Sequence, residues 1–344
     1  MKFKQLKYDF LKYAKDFCFS QKYSVFCTGQ RAFICDRELN LLNTVEKLSY
    51  IYHARISPDE TKLLLISNSN IFYLVDLNDF SYKKYTIRGK YNGNLEGRGC
   101  WSFDSKLIYL ALSDRKASDS ALRCYSLTDN MLFEDMIFEK YYINSIEPVK
   151  ELNKYLLIGL DRKKSELDQI DCWDMIWFDG TSFEKFSICN IDICNDGIYY
   201  AEYEAATNTV IMYNFSNTFR CDLNGKVIEY LSLPVSKKIT TSFSDLFKDL
   251  NIKREDFDEL TNLSTALGLE NVSTNDGIYK ICLSYDRKKY YVGTHSEIYI
   301  VDAETKSILA NKQIDYGVQN IMEISPNKIV ISTWSGVKIY SIIE

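Results

Sequence analysis

The sequence predicts an all-β fold, a β-propeller with seven blades. Three observations lead to it: four short apolar runs recur as a unit along the chain, an Asp or Ser closes the third run of each unit, and an N-terminal segment can complete the last unit. Repeats of this kind are the mark of propellers and solenoids, and four antiparallel strands joined by tight turns make one propeller blade.

The clearest unit runs from Ala54 to Ile87. A first run ends in ARIS and is followed by the runs KLLLIS, IFYLVD and FSYKKYTI, with SPDET, NSN and LND between them. Asp, Asn and Ser favour turns because their side chains hydrogen-bond to the backbone two residues on. We therefore predict four short strands in this unit.

The end of the third run shows how many units the chain contains. An apolar residue followed by Asp ends the run in five units, and Ser replaces Asp in two. The positions are Asp36, Asp76, Ser126, Asp179, Asp222, Asp302 and Ser341. They lie about 40 to 53 residues apart except for one gap of about 80, and a blade needs about 40–45. The wide gap is one blade plus an insertion, so the count is seven.

The two ends of the chain complement each other. The last unit supplies only three strands, while the segment MKFKQLKYDF precedes the first unit, which begins near Asp16. If this segment is the outer strand of the last blade, the ring closes and no sheet edge is left unpaired. The alternative for the segment is an amphipathic helix.

We predict one domain over residues 1–344, with a helical insertion at 236–275 between blades five and six. Ser242 begins a capping box. Further along, Phe257, Leu260, Leu263 and Leu267 recur three to four residues apart before Gly268, as on one face of a helix. This stripe either packs against the propeller or belongs to a partner-binding helical hairpin.

Two kinds of repeat resemble known families. SPDETKLLLIS and SPNKIVIS resemble the first-to-second-strand segment of WD-repeat proteins, and residues 288–309, KKYYVGTHSEIYIVDAETKSIL, resemble YVTN-type repeats. The resemblance covers nearly the whole chain and implies the propeller fold, but it rests on turn and core residues and implies no activity. The chain departs from the WD pattern, because no Trp-Asp dipeptide closes a third strand and the Gly-His pair is absent.

Composition limits the classes of partner. With 42 basic and 47 acidic side chains the formal charge is −5, which offers no basic field for nucleic acid. The sequence has neither the apolar segment of a signal peptide nor an uncharged stretch that could cross a membrane. Ten cysteines without a CxxC pair predict reduced thiols. We expect a cytoplasmic, monomeric, bacterial protein that binds neither nucleic acid nor membrane.

The lengths of the connections distinguish the two faces of the ring. In a propeller, fourth-to-first links and second-to-third turns share one face, here called the long-loop face, and the remaining turns lie on the short-turn face. The long excursions Thr86–Gly99, Ser113–Ala121, Asp161–Asp171 and the insertion all fall on the long-loop face. Binding residues concentrate on loops held by a rigid scaffold, so we predict a partner there.

Six residues near first-strand entrances or second-to-third turns are candidate partner contacts, because Trp and Arg are frequent interface anchors. They are His53, Arg55, Arg98, Trp101, His295 and Trp334. Trp101 has an alternative position in the gap between two blades. Trp173 and Trp177 lie on a predicted third strand and are expected in the core.

No motif predicts a catalytic residue, a cofactor or a metal ligand set. The Gly-rich stretch from Ile87 to Cys100 does not have the spacing of a phosphate-binding loop, and we predict a flexible loop, with anion binding as the alternative. Neither histidine lies in a nucleophile elbow. The enzyme alternative is a calcium-dependent, lactonase-like propeller hydrolase, with Glu147, Asp276 and Glu323 converging on the central channel.

The sequence therefore predicts a non-enzymatic protein-interaction module that binds a partner on its long-loop face. Two alternatives are left open: the calcium-dependent hydrolase, and a bacterial immunity-type protein that neutralises its partner. Tightly bound calcium would distinguish the hydrolase from the other two.

Overall fold

A computed structural model of the chain confirms the predicted class: seven four-stranded antiparallel sheets form the blades of a propeller. The structure describes residues 1–344 except 9–10, 12–13, 68–69, 115, 117–118, 130, 169, 189–196, 199, 214–217, 232–237, 243–270, 276–277, 315–316 and 344. For 93–98, 238–242 and 271–275 it describes the backbone only.

The first four blades follow one another along the chain. Blade one contains β2 (Asp16–Phe19), β3 (Tyr23–Cys27), β4 (Ala32–Asp36) and β5 (Leu41–Val45). Blade two contains β6 (Ile51–Ile56), β7 (Lys62–Ser67), β8 (Ile71–Asp76) and β9 (Tyr82–Thr86). Blade three contains β10 (Tyr91–Trp101), β11 (Leu107–Asp114), β12 (Ser120–Ser126) and β13 (Phe133–Phe138). Blade four contains β14 (Tyr141–Val149), β15 (Lys154–Asp161), β16 (Trp173–Phe178) and β17 (Phe183–Ile188).

The last three blades include the one that closes the ring. Blade five contains β18 (Tyr200–Glu204), β19 (Thr209–Tyr213), β20 (Thr218–Cys221) and β21 (Val227–Tyr230). Blade six contains β24 (Ile278–Leu283), β25 (Lys289–Thr294), β26 (Glu297–Asp302) and β27 (Ile308–Gln313). Blade seven contains β28 (Val318–Ser325), β29 (Lys328–Thr333), β30 (Gly336–Ile343) and, as its outer strand, β1 (Lys2–Leu6).

The N-terminal strand completes blade seven, as predicted. β1 pairs antiparallel with β30 from Lys2 opposite Ile343 to Leu6 opposite Ile339. The ring of Phe3 packs edge-on against Tyr340 at a centroid distance of 5.8 Å. The alternative of an N-terminal helix is wrong for these residues.

The apolar core lies between the blades. Seven apolar clusters of described residues occupy the seven gaps between neighbouring blades, including the gap between blades seven and one. Trp173 and Trp177 are buried in the gap between blades four and five, as the sequence predicts. First strands of neighbouring blades contact one another and therefore form the inner ring around the channel.

The Asp that ends a third strand accepts hydrogen bonds from the turn that follows it. Its carboxylate accepts backbone N–H groups, as from Thr181 and Ser182 to Asp179 at 2.8 Å each. The same bonding recurs at Asp36, Asp76, Asp222 and Asp302. The recurrence in the sequence is therefore a consequence of turn chemistry.

The first-to-second turns use a second device, in which a Ser hydroxyl donates to an Asp two residues on. The pairs are Ser57–Asp59, Ser102–Asp104 and Ser284–Asp286, at 2.6 to 2.7 Å. Each Ser hydroxyl also accepts an N–H from the start of the second strand. Each Ser hydroxyl therefore bonds both to the turn and to the start of the second strand.

The insertion departs in part from its predicted helical character. Its described ends are strands, β22 (Lys238–Ser242) and β23 (Asn271–Asn275), which pair as an antiparallel two-stranded sheet. The predicted helices with their apolar stripe lie outside the described residues. A helix that was not predicted, α1 (Arg162–Asp168), lies between β15 and β16 in blade four.

We predict that deletion of Met1–Asp9 lowers the melting temperature by more than about 4 °C, which corresponds to the loss of about 3 kcal/mol in a domain of this size. The deletion exposes the edge of β30 and removes the Phe3–Tyr340 contact. Differential scanning calorimetry measures the effect, with Lys4→Ala as a control on an exposed side chain of β1. A melting temperature equal to that of the wild type would contradict the importance of closure.

We also predict that stability falls steadily below about pH 4. Hydrogen bonds from the turn hold the pKa of Asp36, Asp179 and Asp302 below its ordinary value. A carboxyl whose pKa is lowered by folding stabilises the fold above its unfolded pKa of about 3.9, and this contribution is lost as the pH falls through the folded pKa. Replacing all three by Asn should flatten the decline of the melting temperature between pH 5 and pH 3. Asp171→Asn, at an exposed position, is the control. An equally steep decline in the triple variant would show that other groups cause it.

Candidate functional site

The long-loop face differs from the prediction in two of its connections. Most of the predicted excursion Thr86–Gly99 is strand β10, which has bulges against β11. At Gly99 a Cβ atom would lie 2.5 Å from Leu110, so this glycine permits close packing of strands. The expectation of a flexible loop from Ile87 to Cys100 is therefore wrong for most of its length. The excursion Asp161–Asp171 is mostly helix α1.

Helix α1 begins where Asp161 caps it. The carboxylate of Asp161 accepts the N–H of Lys164 at 2.9 Å, and the hydroxyl of Ser165 donates to the carbonyl of Asp161 at 2.7 Å. An Asp at the N-cap was a signal available in the sequence. The helix presents Leu167, with 76% of its surface exposed, on the long-loop face.

His53 and Arg55 share a partner that the sequence did not reveal. Nδ1 of His53 lies 3.1 Å from Oδ2 of Asp16, and Nη1 of Arg55 lies 3.9 Å from the same oxygen. Burial raises the pKa of Asp16, but the His53 and Arg55 charges and the hydrogen bonds outweigh it, so the pKa is lowered. Asp16 is thus a buried carboxylate held between the His53 imidazole and the Arg55 guanidinium.

Arg55 also connects blades that are not neighbours. Its Nη2 lies 3.7 Å from Oε1 of Glu147 on β14, so the pair joins blade two to blade four past blade three. Only side chains that project from the inner strands into the channel can make such a contact. Arg55 is accordingly a channel residue, with a side chain 28% exposed.

A second charged group lies on the inner strands of blades five and six. Nζ of Lys280 is 3.6 Å from the Glu202 carboxylate and 3.0 Å from the centroid of the Tyr200 ring. Lys280 is buried, and burial lowers its pKa. The ring face and the carboxylate both favour the ammonium form.

Trp101 is not on the long-loop face, and its assignment as a partner contact is wrong. It ends β10 at the short-turn side, is 3% exposed and packs in the gap between blades two and three. Its indole N–H donates to the carbonyl of Arg55 at 2.8 Å. Trp101 thus has the alternative position between the blades, where apolar side chains cover its ring and a carbonyl accepts the indole N–H.

His295 and Trp334 lie where they were predicted, in the second-to-third turns of blades six and seven. His295 is exposed and its ring centroid is 6.0 Å from that of Tyr279. Trp334 is 50% exposed, and its carbonyl accepts a hydrogen bond from Nζ of Lys15. Arg98 lies in β10, and its side chain is outside the described residues.

Sequence reasoning missed two exposed tyrosines on the same face. Tyr50 is 67% exposed in the link into blade two, and Tyr52 is 37% exposed at the start of β6. Tyr is common in this chain, and nothing in the local pattern separates these two from the tyrosines of the core.

The two described carboxylates that were expected to converge on a channel metal have different partners. Glu147 pairs with Arg55, whereas Glu323 accepts a hydrogen bond from the Tyr291 hydroxyl at 3.0 Å beside blade six. Asp276 lies outside the described residues. Within the described part of the chain, no group of three or more His, Cys, Asp or Glu side chains is placed to hold a metal ion.

Solved structures similar to this chain include a WD40 domain and a β-propeller domain. The C-terminal WD40 domain of Sif2 matches with a TM-score of 0.61 at 12% identity, covering 96% of this chain and 82% of that one. The propeller domain of Cps50 (Swd1) from Myceliophteria thermophila matches with a TM-score of 0.61 at 10% identity, covering 99% of both chains. This chain has the WD40 propeller fold. At such identities the likeness concerns the fold alone.

No protein-family model matches the sequence, and no curated protein matches it either. Among the helices that the structure describes, none is long and apolar enough to span a membrane.

We predict that the cysteines are unreactive thiols in the folded protein. All eight described cysteines are free, and burial raises the pKa of Cys18, Cys35 and Cys221 to about 12. The thiolate is the reactive species, so iodoacetamide at pH 7.5 should label these three slowly before denaturation. Without any reductant, all ten should be labelled after it, as mass spectrometry can show. A reproducible pair of cysteines protected from label in the denatured chain would reveal a disulfide.

Proposed function

We propose that this protein is a non-enzymatic interaction module that binds a protein partner on its long-loop face. A group of exposed aromatic side chains on one sector of that face carries the proposal. The group consists of Trp334, Tyr50 and Tyr52, with His53 beside them, and is called the aromatic sector below.

Hydrogen bonds hold the aromatic sector together across three blades. Lys15, at the entry to blade one, donates to the carbonyl of Trp334 in blade seven. The N–H of Ile51, at the entry to blade two, donates to the carbonyl of Gly29 in the second-to-third turn of blade one at 3.0 Å. The backbone at Trp334 and next to Tyr50 is therefore fixed by hydrogen bonds between neighbouring blades.

Such a surface fits protein recognition. Trp and Tyr contribute a large apolar area with few rotatable bonds and a polar group at one end, which is why they dominate interface energetics. Patches of exposed apolar surface on soluble proteins often mark interaction sites. WD40 propellers commonly bind protein partners, and that general behaviour agrees with the proposal.

The test is affinity capture from the native host with quantitative mass spectrometry, comparing the wild type with the double variant Trp334→Ala, Tyr50→Ala. Loss of anchors of this kind typically costs at least about 2 kcal/mol, or roughly thirtyfold in affinity. We expect the specifically captured partner to disappear with the double variant and to weaken with Arg98→Ala.

The matched control is Glu304→Lys, an exposed position in a short turn of blade six on the opposite face. All variants should keep the wild-type melting temperature, which excludes unfolding as the cause. A partner that survives the double variant and is lost with Glu304→Lys would place binding on the short-turn face and overturn the proposal.

A further inference from the structure

A cleft opens on the short-turn face between blades five and six. It is lined by the end of β18 and the turn after it, including Ala205 and Ala206, and by Ile281 and Leu283 of β24. Arg287, in the first-to-second turn of blade six, stands at its rim. The volume is about 140 Å³, close to the ~150 Å³ of a cavity that accommodates a benzene ring. One side chain of a partner fits this space.

The acidic side chains of the lining already have cationic partners. The carboxylate of Glu204 is 3.0 Å from Nη2 of Arg220, and Glu202 is 3.6 Å from Nζ of Lys280. Arg287, by contrast, has no carboxylate within ion-pairing distance among the described residues. The uncompensated charge at the rim is therefore positive.

Hydrogen bonds within the protein fix the backbone of the turn that contains Arg287. Ser284 donates to Asp286 at 2.6 Å and the N–H of Arg287 donates to the carbonyl of Ser284 at 2.8 Å. The N–H of Tyr285 is bonded to Glu323 of blade seven. Tyr285 itself is 62% exposed beside Arg287. The backbone that carries Arg287 at the edge of the apolar opening is thus fixed by hydrogen bonds.

We propose that this cleft binds an extended segment of a protein partner through one apolar side chain, with an acidic residue next to it paired to Arg287. The apolar residue enters the opening lined by Ala206, Ile281 and Leu283. The carboxylate fits the guanidinium, which recognises planar anions through paired hydrogen bonds. This site is separate from the aromatic sector and lies on the other face.

The test is selection of random nonapeptides displayed on phage against the whole protein, after depletion on the variant Ala206→Trp, whose indole fills the cleft. Ala206 is exposed in a turn, so the larger side chain is compatible with the fold. We expect enriched peptides to contain an apolar residue with Asp or Glu within two positions. Enrichment of basic sequences, or no enrichment over background, would overturn the proposal.

The contribution of Arg287 is measured with the best peptide, synthesised with a fluorescein label, in fluorescence anisotropy. Arg287→Glu should weaken binding at least tenfold, and Arg287→Lys should restore part of it. Lys288→Glu is the matched control, because Lys288 is the exposed neighbour in the same turn and does not line the cleft. Equal losses with Lys288→Glu and Arg287→Glu would show a non-specific charge effect and contradict the site.

Discussion

Closure of the ring by β1 is the constraint on which the rest of the structure depends. A blade has one inner and one outer edge, and its two faces must each be covered by a neighbour. In blade seven the chain supplies three strands from its last residues and the fourth from its first, with Lys2 opposite Ile343. Phe3 then belongs to the core between blades six and seven, and Leu6 to the core between blades seven and one. Two of the seven gaps therefore depend on one five-residue strand.

The turns on both faces of the closed ring are fixed by hydrogen bonds. On the short-turn face, polar groups bond within the turns and to the next blade, as when the N–H of Asp59 donates to the Ser105 hydroxyl at 3.0 Å and Glu60 accepts from Gln21. Groups used in this way are not free to recognise a partner. On the long-loop face the turns are also fixed by hydrogen bonds, but Trp334 and Tyr50 remain exposed. Hydrogen-bonded turns are common to both faces, and each face also has exposed aromatic side chains, Trp334 and Tyr50 on the long-loop face and Tyr285 on the short-turn face.

The sequence predicted those features that depend on neighbours along the chain. The Asp at the end of a third strand marks a local turn, so Asp36 or Asp302 could be recognised without knowing the fold. We assigned Trp101 to the wrong face because its buried position depends on a neighbouring blade, in which the carbonyl of Arg55 accepts the indole N–H. Gly99 was assigned to a loop because a glycine required by close strand packing looks the same in sequence as a flexible one. The partnership of Asp16 with His53 likewise becomes visible only when blades one and two are side by side.

The charges of the channel follow from the same geometry. Arg55 joins Asp16 and Glu147 from blades one and four, and Lys280 joins Glu202 from blade five. Pairs of this kind add little net stability because desolvation offsets attraction, but leaving one partner alone is costly. They therefore favour one relative placement of the blades over others. At the junction of blades five and six, the carboxylates of Glu202 and Glu204 already have cationic partners, and the charge left at the cleft is that of Arg287. The ion pairs within the ring therefore leave the guanidinium of Arg287 as the charge that a partner meets at this cleft.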